Sequence, residues 1–561
     1  MQKMTKTWDY LIVTAANEQQ ARAYDFQIRR RKEAGEIPQV RNCLVIADIE
    51  GKRIGSGGST LHCLDSVLRR QRLTPRPGSF EDAEALLSGL RILIVHAGGD
   101  SRRLPAYSHC GKMFVPVPAP FDSSLASTLF DRLLPSFLNL PESHPGQIVV
   151  ASGDALILFD PSSVKLDSPG ITALGCLAPA EEAAHHGVFC SHENGSVRRF
   201  LQKPSPQSQI AAGAMNQNGM TALDIGVMNC DAAAAVGLMR TFFEQRPGPD
   251  GESELLWKAP ARDALFSHGI DLYREVCCAL GTETTLNDYL DAVRSAGSTL
   301  DRTLLTEWFD HLRQIPFRVE VLPGCKFLHF GTTRQLITSG MALLEADAVS
   351  PMPPALILNS DIQSEVVGEQ AWVEGCVLRN GLTLDGDNAL VGVDVVDPLA
   401  LPKGACMDIS SGAGRNGRKV WFLRYYGIDD TFKHSAQSGG TFCGLPLRGW
   451  LNASGAADSD IWPPEVPENE RTLWNARMFP ALTQHQDFRE WLWLLGIESA
   501  TDEQKKRFLA AERYSSSEIA LRVDPSEFHD RRSKVGAVAL PLQRGHNRAS
   551  DIYAEGWTVD A

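Results

Sequence analysis

No stretch of the 561-residue chain approaches the roughly 20 consecutive apolar residues that a membrane-spanning helix needs. The opening, MQKMTKTWDYLIV, lacks a secretory cleavage pattern, because Trp8-Asp9 interrupts it and the apolar run that follows is short. A cytoplasmic location without membrane association is the expectation. No two of the twelve cysteines have C-x-x-C spacing, so neither a zinc site nor a dithiol motif is read from them. Free, mostly core-filling thiols are expected instead. Positive charge is in deficit: 55 Lys and Arg stand against 68 Asp and Glu, a net charge of −13. A nucleic-acid partner, which asks for a basic face, is therefore not expected. Any anionic ligand must be drawn by local cations, not by the overall field. Nothing resembles a nucleophile–base pair with a suitable spacing. The adjacent His185 and His186 would point to opposite faces of an extended chain and chelate one ion poorly.

What is present is an ordinary globular composition, 43% apolar and 22% charged, in a chain long enough for two to four domains. Apolar runs at 10–13, 43–46, 92–95 and 148–150 read as buried strands. A polar-faced helix is predicted over 21–32, and Leu61, Leu64, Val67 and Leu68 recur at helical spacing. Strands alternating with helices predict an α/β fold with a mostly parallel sheet, whose ligands bind at the carboxyl ends of the strands. A helix over 299–313 is expected to close this domain. Farther on, Val366, Trp372, Leu378, Leu384, Leu390 and Val396 recur every six residues with Gly, Asn and Asp between them. That period predicts a parallel β-helix. Residues 410–417 read as a surface loop, and the tail from about 451 as a mixed, partly helical appendage. The expected domains are 1–325, 326–450 and 451–561.

The chemistry concentrates in His96-Ala97-Gly98-Gly99-Asp100-Ser101-Arg102-Arg103-Leu104-Pro105, followed by Gly111-Lys112 and Pro116. A strand leads straight into paired glycines, with fixed positive charges beyond them. Amides of Ala97, Gly98, Gly99 and Ser101 can approach phosphate oxygens, and Arg102 and Lys112 can neutralise charge that grows as a P–O bond breaks. A tight strand–helix turn with a solvated Arg is the plainer alternative. A second glycine loop, Gly55-Ser56-Gly57-Gly58-Ser59-Thr60, is expected just before a helix beginning near Leu61, its amides facing a nucleotide. Packing of the glycines against a neighbour is the alternative there. Asp154, beyond Ser152-Gly153 at the end of a strand, is placed to hold Mg²⁺, a hard ion that takes oxygen ligands. Capping the next helix is its other use. Asp271 is the candidate for a second metal ligand, with Glu275 and Asp224 as rivals.

The spacing Gly-Gly, Ser-Arg, Pro, Lys, Pro resembles the signature of sugar-nucleotide pyrophosphorylases, although this loop is one residue shorter than the common form. The narrower pattern His96-Ala-Gly-Gly-x-Ser-x-Arg-x-Pro with Gly111-Lys112 resembles the fucose-1-phosphate guanylyltransferase family. Residues 9–16, 54–61, 327–333 and 472–480 resemble other segments of that family, so the likeness covers most of the chain. Some bifunctional relatives carry a sugar-kinase domain as well. No kinase-type phosphate loop is found here, and the chain resembles the free-standing form.

The resemblance implies a Rossmann-like nucleotidyltransferase domain, a β-helix behind it, and Mg²⁺ on the Gly-Asp at 153–154. Lys203, in Gln202-Lys203-Pro204, matches an element whose Lys binds the sugar phosphate, with Gln in place of an acidic residue. Asp224 and Gly226 match a strand that lines the sugar pocket, with Asp in place of Asn. The implied reaction joins a sugar 1-phosphate to a nucleoside triphosphate, giving a nucleotide-sugar and pyrophosphate. Resemblance alone points to L-fucose 1-phosphate, GTP and GDP-fucose. Heptose, mannose or another deoxyhexose 1-phosphate is the alternative. Arg102, Lys112 and a divalent ion on Asp154 are expected to converge on the phosphates, and copies of the chain to associate through the β-helix. A β-helix acyltransferase is a rival reading, but such enzymes usually need a His in the coil wall and residues 366–396 contain none. A non-catalytic regulator is another, against which stands the presence together of Arg102, Lys112, Asp154 and Lys203.

Overall fold

A computed structural model of the chain describes residues 7–70, 77–99, 101–119, 127–143, 145–153, 155–247 and 253–533. The apolar runs of the first third become neighbours in one sheet. Strand β1 (Trp8–Ala15) pairs in parallel with β2 (Val40–Ala47) on one side, Leu11 opposite Cys43. On its other side it pairs with β3 (Arg91–His96), Leu11 opposite Leu93. Next to β3 lies β4 (Gln147–Ser152), also parallel, with Ile92 opposite Ile148. Burial on both faces is why β1, β3 and β4 read as continuous apolar runs, not as alternating ones. Strand β2 lies at the sheet's edge, and its run 43–46, read as buried, is only half-buried.

The helix α1 (Glu18–Glu33) starts where Asn17 caps the amide of Gln20. It buries Ala21, Tyr24 and Ile28 and leaves its charged residues mostly outside. The helix α2 (Gly55–Arg70) buries Leu61, Leu64, Val67 and Leu68. It begins six residues earlier than the sequence predicts. The glycines are its first turns, not a loop before it.

The sheet does not end with the helix Arg302–Leu312. The strand Met220–Cys230 runs antiparallel beside β4 and beside the strand Ile171–Pro179. The strand Phe317–Leu322 then adds in parallel to Ile171–Pro179. The result is a mixed α/β layer with a largely parallel sheet. The hairpin Gly187–Ser191/Val197–Gln202 branches from the inner strand Met220–Cys230, and Val188 lies opposite both Leu201 and Leu223.

Two compact units divide the chain: Met1–Gly99, Leu133–Gly153 and Ile157–Phe327 in the first, and Asp100–Arg132, Asp154–Leu156 and Leu328–Ala561 in the second. In the second, short parallel strands stack in three columns. One column holds Leu356–Leu358, Ala371–Glu374, Asn388–Val391 and Ala405–Ala413, the first three of which have their counterparts in two further columns of two- and three-residue strands. Leu356 lies opposite Trp372, and Trp372 opposite Ala389, so one circuit takes 16 and then 17 residues. Three sides of six residues would take 18, so a strict six-residue period slips out of phase. Trp372, Leu378, Leu384 and Leu390 are buried, whereas Val396 is 43% exposed and Val395 takes the inward place.

Residues 410–417 are not all surface loop. Ser410 and Ser411 are buried in the strand Ala405–Ala413, which turns back antiparallel into Lys419–Gly427. The strand Phe479–Leu482 of the tail extends that same sheet. The buried pair Asp408–Arg424 bridges the adjacent strands Ala405–Ala413 and Lys419–Gly427, with Arg424 Nη2 donating to Asp408 Oδ1 at 2.7 Å. All twelve cysteines are free thiols, nine of them buried. No helix among the described residues is long and apolar enough to cross a membrane.

Candidate functional site

In the first unit, the carboxyl ends of β1, β3 and β4 form one edge. There His96 is half-buried, its Nε2 2.9 Å from Thr60 Oγ1 and its Nδ1 3.3 Å from Thr14 Oγ1. Burial pulls its pKa down to about 4, so the ring is neutral at physiological pH and acts as a pin between β1, α2 and β3. The turn beyond it is held by its carbonyls: Tyr24 Oη donates to Ala97 O at 2.8 Å, and Gln20 Nε2 to Gly99 O at 3.0 Å. Gly99 has φ +115°, a conformation that side chains disfavour, and a Cβ built there meets nothing within 4 Å. At Gly98 the nearest atom would be 3.9 Å away. The paired glycines thus border open space at the strand ends.

The strand Met220–Cys230 runs antiparallel to β4, which brings its residues 224–227 to that same edge. Asp224 is 5% exposed, and its Oδ1 accepts from Gly226 N–H at 2.8 Å. Burial outweighs this bond and pushes its pKa up to about 7. Gly226, at φ +74°, leaves no space for a side chain: a Cβ would stand 3.1 Å from Ser152 Cβ and 3.3 Å from Tyr273 Oη. Lys203 follows the hairpin strand in a left-handed conformation, φ +49°, with its amide on His186 O at 3.1 Å and its side chain exposed.

The glycine segment 55–60 corrects an expectation. The amides of Gly57 and Gly58 both donate to Ile270 O, at 2.8 and 3.3 Å. A Cβ at Gly57 would come within 2.7 Å of Ile270 Cγ2, and one at Gly58 within 2.7 Å of Leu265 Cδ1. Ser59 Oγ donates to Asp48 Oδ1 at 2.6 Å, and Thr60 holds His96. These residues are small because the 265–270 segment packs on them, and Gly57 and Gly58 present no amide to a phosphate. Gly55 is equally crowded: a Cβ there would stand 2.2 Å from Ile270 O.

Asp271 caps the short helix Leu272–Val276. Its Oδ1 accepts the amides of Tyr273 and Arg274 at 3.0 and 2.9 Å, and Ser56 Oγ donates to its Oδ2 at 3.4 Å. Its rival Glu275 is wholly buried, paired with Arg274 and accepting Asp271 N–H at 2.7 Å. Asp154 lies outside the described residues, as does Asp100. Among the described residues no cluster of three His, Cys, Asp or Glu is arranged to hold a metal ion.

In the second unit, three segments singled out in the sequence come together. Ser101 is buried at φ +50°, its carbonyl accepting Leu104 N–H at 2.8 Å. Arg103 O accepts Thr333 N–H at 3.1 Å, which ties the loop to the start of the helix Thr333–Ala346, itself capped by Thr332. At Gly331 a Cβ would stand 3.8 Å from Arg103 Nη2 and 3.9 Å from Lys112 Nζ. The Arg102 guanidinium lies 6.0 Å from the Trp474 ring centre. Two cations beside a side-chain-free residue at a helix N-terminus suit an anion. The Gly331 N–H itself is spent on Gln335 Oε1 at 2.9 Å, and that oxygen is the nearest atom to the Cβ position, at 3.2 Å. Gly331 and Trp474 gain their meaning only here, since nothing in their own segments marks them as neighbours of Lys112 and Arg102.

A family model described as the fucose pyrophosphorylase domain matches residues 84–484. A protein of Arabidopsis thaliana named bifunctional fucokinase/GDP-fucose pyrophosphorylase is 27% identical, over 91% of this chain and 50% of its own length. One of Bacteroides fragilis, named L-fucokinase/L-fucose-1-P guanylyltransferase, is 25% identical over 87% of this chain and 48% of its own. The chain thus spans about half the length of these two relatives. A protein of Mus musculus named fucose-1-phosphate guanylyltransferase is 24% identical, over 84% of this chain and 83% of its own. With more than half of its residues inside one family model, the chain belongs to the fucose pyrophosphorylase family.

Proposed function

We propose that the chain is a sugar-1-phosphate nucleotidyltransferase, joining L-fucose 1-phosphate to GTP to give GDP-fucose and pyrophosphate. The observation that carries this reading is the family match over 84–484 together with the placing of Arg103 and Lys112 beside Gly331. The names of the relatives supply the sugar and the base. In the reaction an oxygen of the sugar phosphate attacks the α-phosphorus, a P–O bond forms, and the bond to the β-phosphate oxygen breaks with its electron pair leaving on pyrophosphate. The attacking group is an anion already, since a phosphate monoester has its second pKa near 6. No general base is required, and the task is to offset repulsion between polyanions and to align them.

In this reading Lys112 neutralises the α-phosphate region and Arg102 the departing pyrophosphate. Ala97, Gly98, Gly99 and Ser101 border the nucleotide phosphates. Lys203 holds the sugar phosphate, and Asp224 with Gly226 lines the sugar pocket, where a carboxyl group can accept from sugar hydroxyls. Asp154 is the residue that would hold magnesium; the oxygens of Asp271 are already taken up by its cap and by Ser56. The stacked coils are read as a parallel β-helix, through which copies of the chain associate. Pyrophosphate release from GTP, ATP, UTP and CTP, crossed with fucose, mannose and heptose 1-phosphates, tests the reading. Release with GTP and fucose 1-phosphate above all other pairs supports it, and silence with every pair overturns it.

A further inference from the structure

The loop that carries Lys112 is fastened from below by a buried charged group that no sequence motif marks. Glu374, at the end of the strand Ala371–Glu374, is fully buried, and so is Arg532 but for 2% of its surface. Arg532 Nε donates to Glu374 Oε2 at 3.0 Å, and its Nη2 donates to the same oxygen. Tyr107 Oη donates to that oxygen too, at 3.1 Å, while accepting from Trp372 Nε1 at 2.9 Å. Asn359 Nδ2 takes the other carboxylate oxygen at 2.9 Å. The Arg532 guanidinium sits 3.3 Å from the centre of the Phe528 ring, and His109 of the loop packs edge-on against that ring at 4.1 Å. Tyr107 passes this anchoring on directly, because its carbonyl accepts the amides of Cys110 and Gly111, at 3.2 and 3.0 Å, immediately before Lys112.

We infer that Glu374, Arg532 and Tyr107 are positioning residues for Lys112, the buried ion pair fixing the phenol and the phenol fixing the turn that aims the ammonium group. The inference rests on the phosphate role proposed for Lys112. A buried ion pair stabilises a fold little compared with apolar residues of the same shape, but it fixes geometry, since each partner is costly to leave alone. The Tyr107 hydroxyl spends both its bonds on the coil wall.

The test measures pyrophosphate release from GTP and fucose 1-phosphate by the full chain, for Tyr107→Phe, Lys112→Ala and both together, with a thermal melt of each. Tyr107→Phe is expected to lower kcat about tenfold, as misplacement of a reacting group does, with both KM values little changed. The double variant should be no slower than Lys112→Ala, because two residues acting through one contact are not additive. Arg532→Lys, which keeps the charge on Glu374, should retain more kcat than Arg532→Met. Parental kcat in Tyr107→Phe overturns the inference. So does a double variant slowed by the product of the two single effects, or equal kcat in Arg532→Lys and Arg532→Met. Lys112→Ala at full turnover is a separate failure: it overturns the phosphate reading first and the inference with it.

Discussion

Replacing Asp224 by Asn probes the electrostatics of the first unit's sheet edge. The carboxyl group is 5% exposed and accepts one hydrogen bond from Gly226 N–H. Its pKa is raised from 3.8 to about 7 by burial. A difference of roughly three units, at about 1.36 kcal/mol each, makes the ionised form cost the fold on the order of 4 kcal/mol. Below pH 3.8 both folded and unfolded chains hold the proton and nothing is lost. As pH rises toward 7 the unfolded chain releases its proton and the folded one keeps it, so stability falls across that window and levels off above it. Between pH 5.5 and 8 this loss is about 2 kcal/mol. The amide of the Asp224→Asn variant does not titrate in either state, and its oxygen can still accept from Gly226. The stability of Asp224→Asn relative to the parent should therefore improve by about 2 kcal/mol between pH 5.5 and pH 8. Urea unfolding of both proteins at the two pH values measures it, and taking the difference removes every other titrating group. A variant-minus-parent difference that is the same at both pH values would refute the reasoning.

Lys112→Ala should lower turnover on the order of 10²–10³-fold at an unchanged melting profile, read by pyrophosphate release. Lys203→Ala should raise the KM for the sugar phosphate more than that for the nucleotide, and steady-state kinetics with each substrate varied in turn decides it. Gly226→Ala puts a methyl 3.1 Å from Ser152 Cβ at φ +74°, so it should cost about 1–3 kcal/mol in denaturant unfolding and weaken sugar-phosphate binding in a titration. Arg424→Met leaves the wholly buried Asp408 without its partner, and should destabilise the second unit by about 3–5 kcal/mol, seen as an early melting transition.

The parallel strands of the first third were legible because β1, β3 and β4 are buried on both faces, and Leu11-Ile12-Val13 and Ile92-Leu93-Ile94 announce that burial by themselves. The parallel pair Ile171–Pro179 and Phe317–Leu322 was not read. The antiparallel strand Met220–Cys230 was not, because its insertion beside β4 depends on hydrogen bonds to partners distant in the chain, which leave no local period. The glycines at 98–99 and at 55–60 look alike as text. One pair borders open space and the other group is packed under Ile270, and only the neighbours separate the two cases. Glu374 carried a faint signal, an acidic residue closing the apolar run Ala371-Trp372-Val373, and a charge there demands a partner. That the partner is Arg532, 158 residues on, could not be read.

The order of residues alone settled which cations follow which glycines in the loop, and hence the family. It settled too that strands alternate with helices in the first third, since periodicity and apolar runs are local properties of a chain. Tertiary structure decided which amides remain open, which carboxylates are caps, and what stands behind Lys112. Those are properties of neighbours far apart in sequence, set by packing and burial, and no stretch of residues contains its own surroundings.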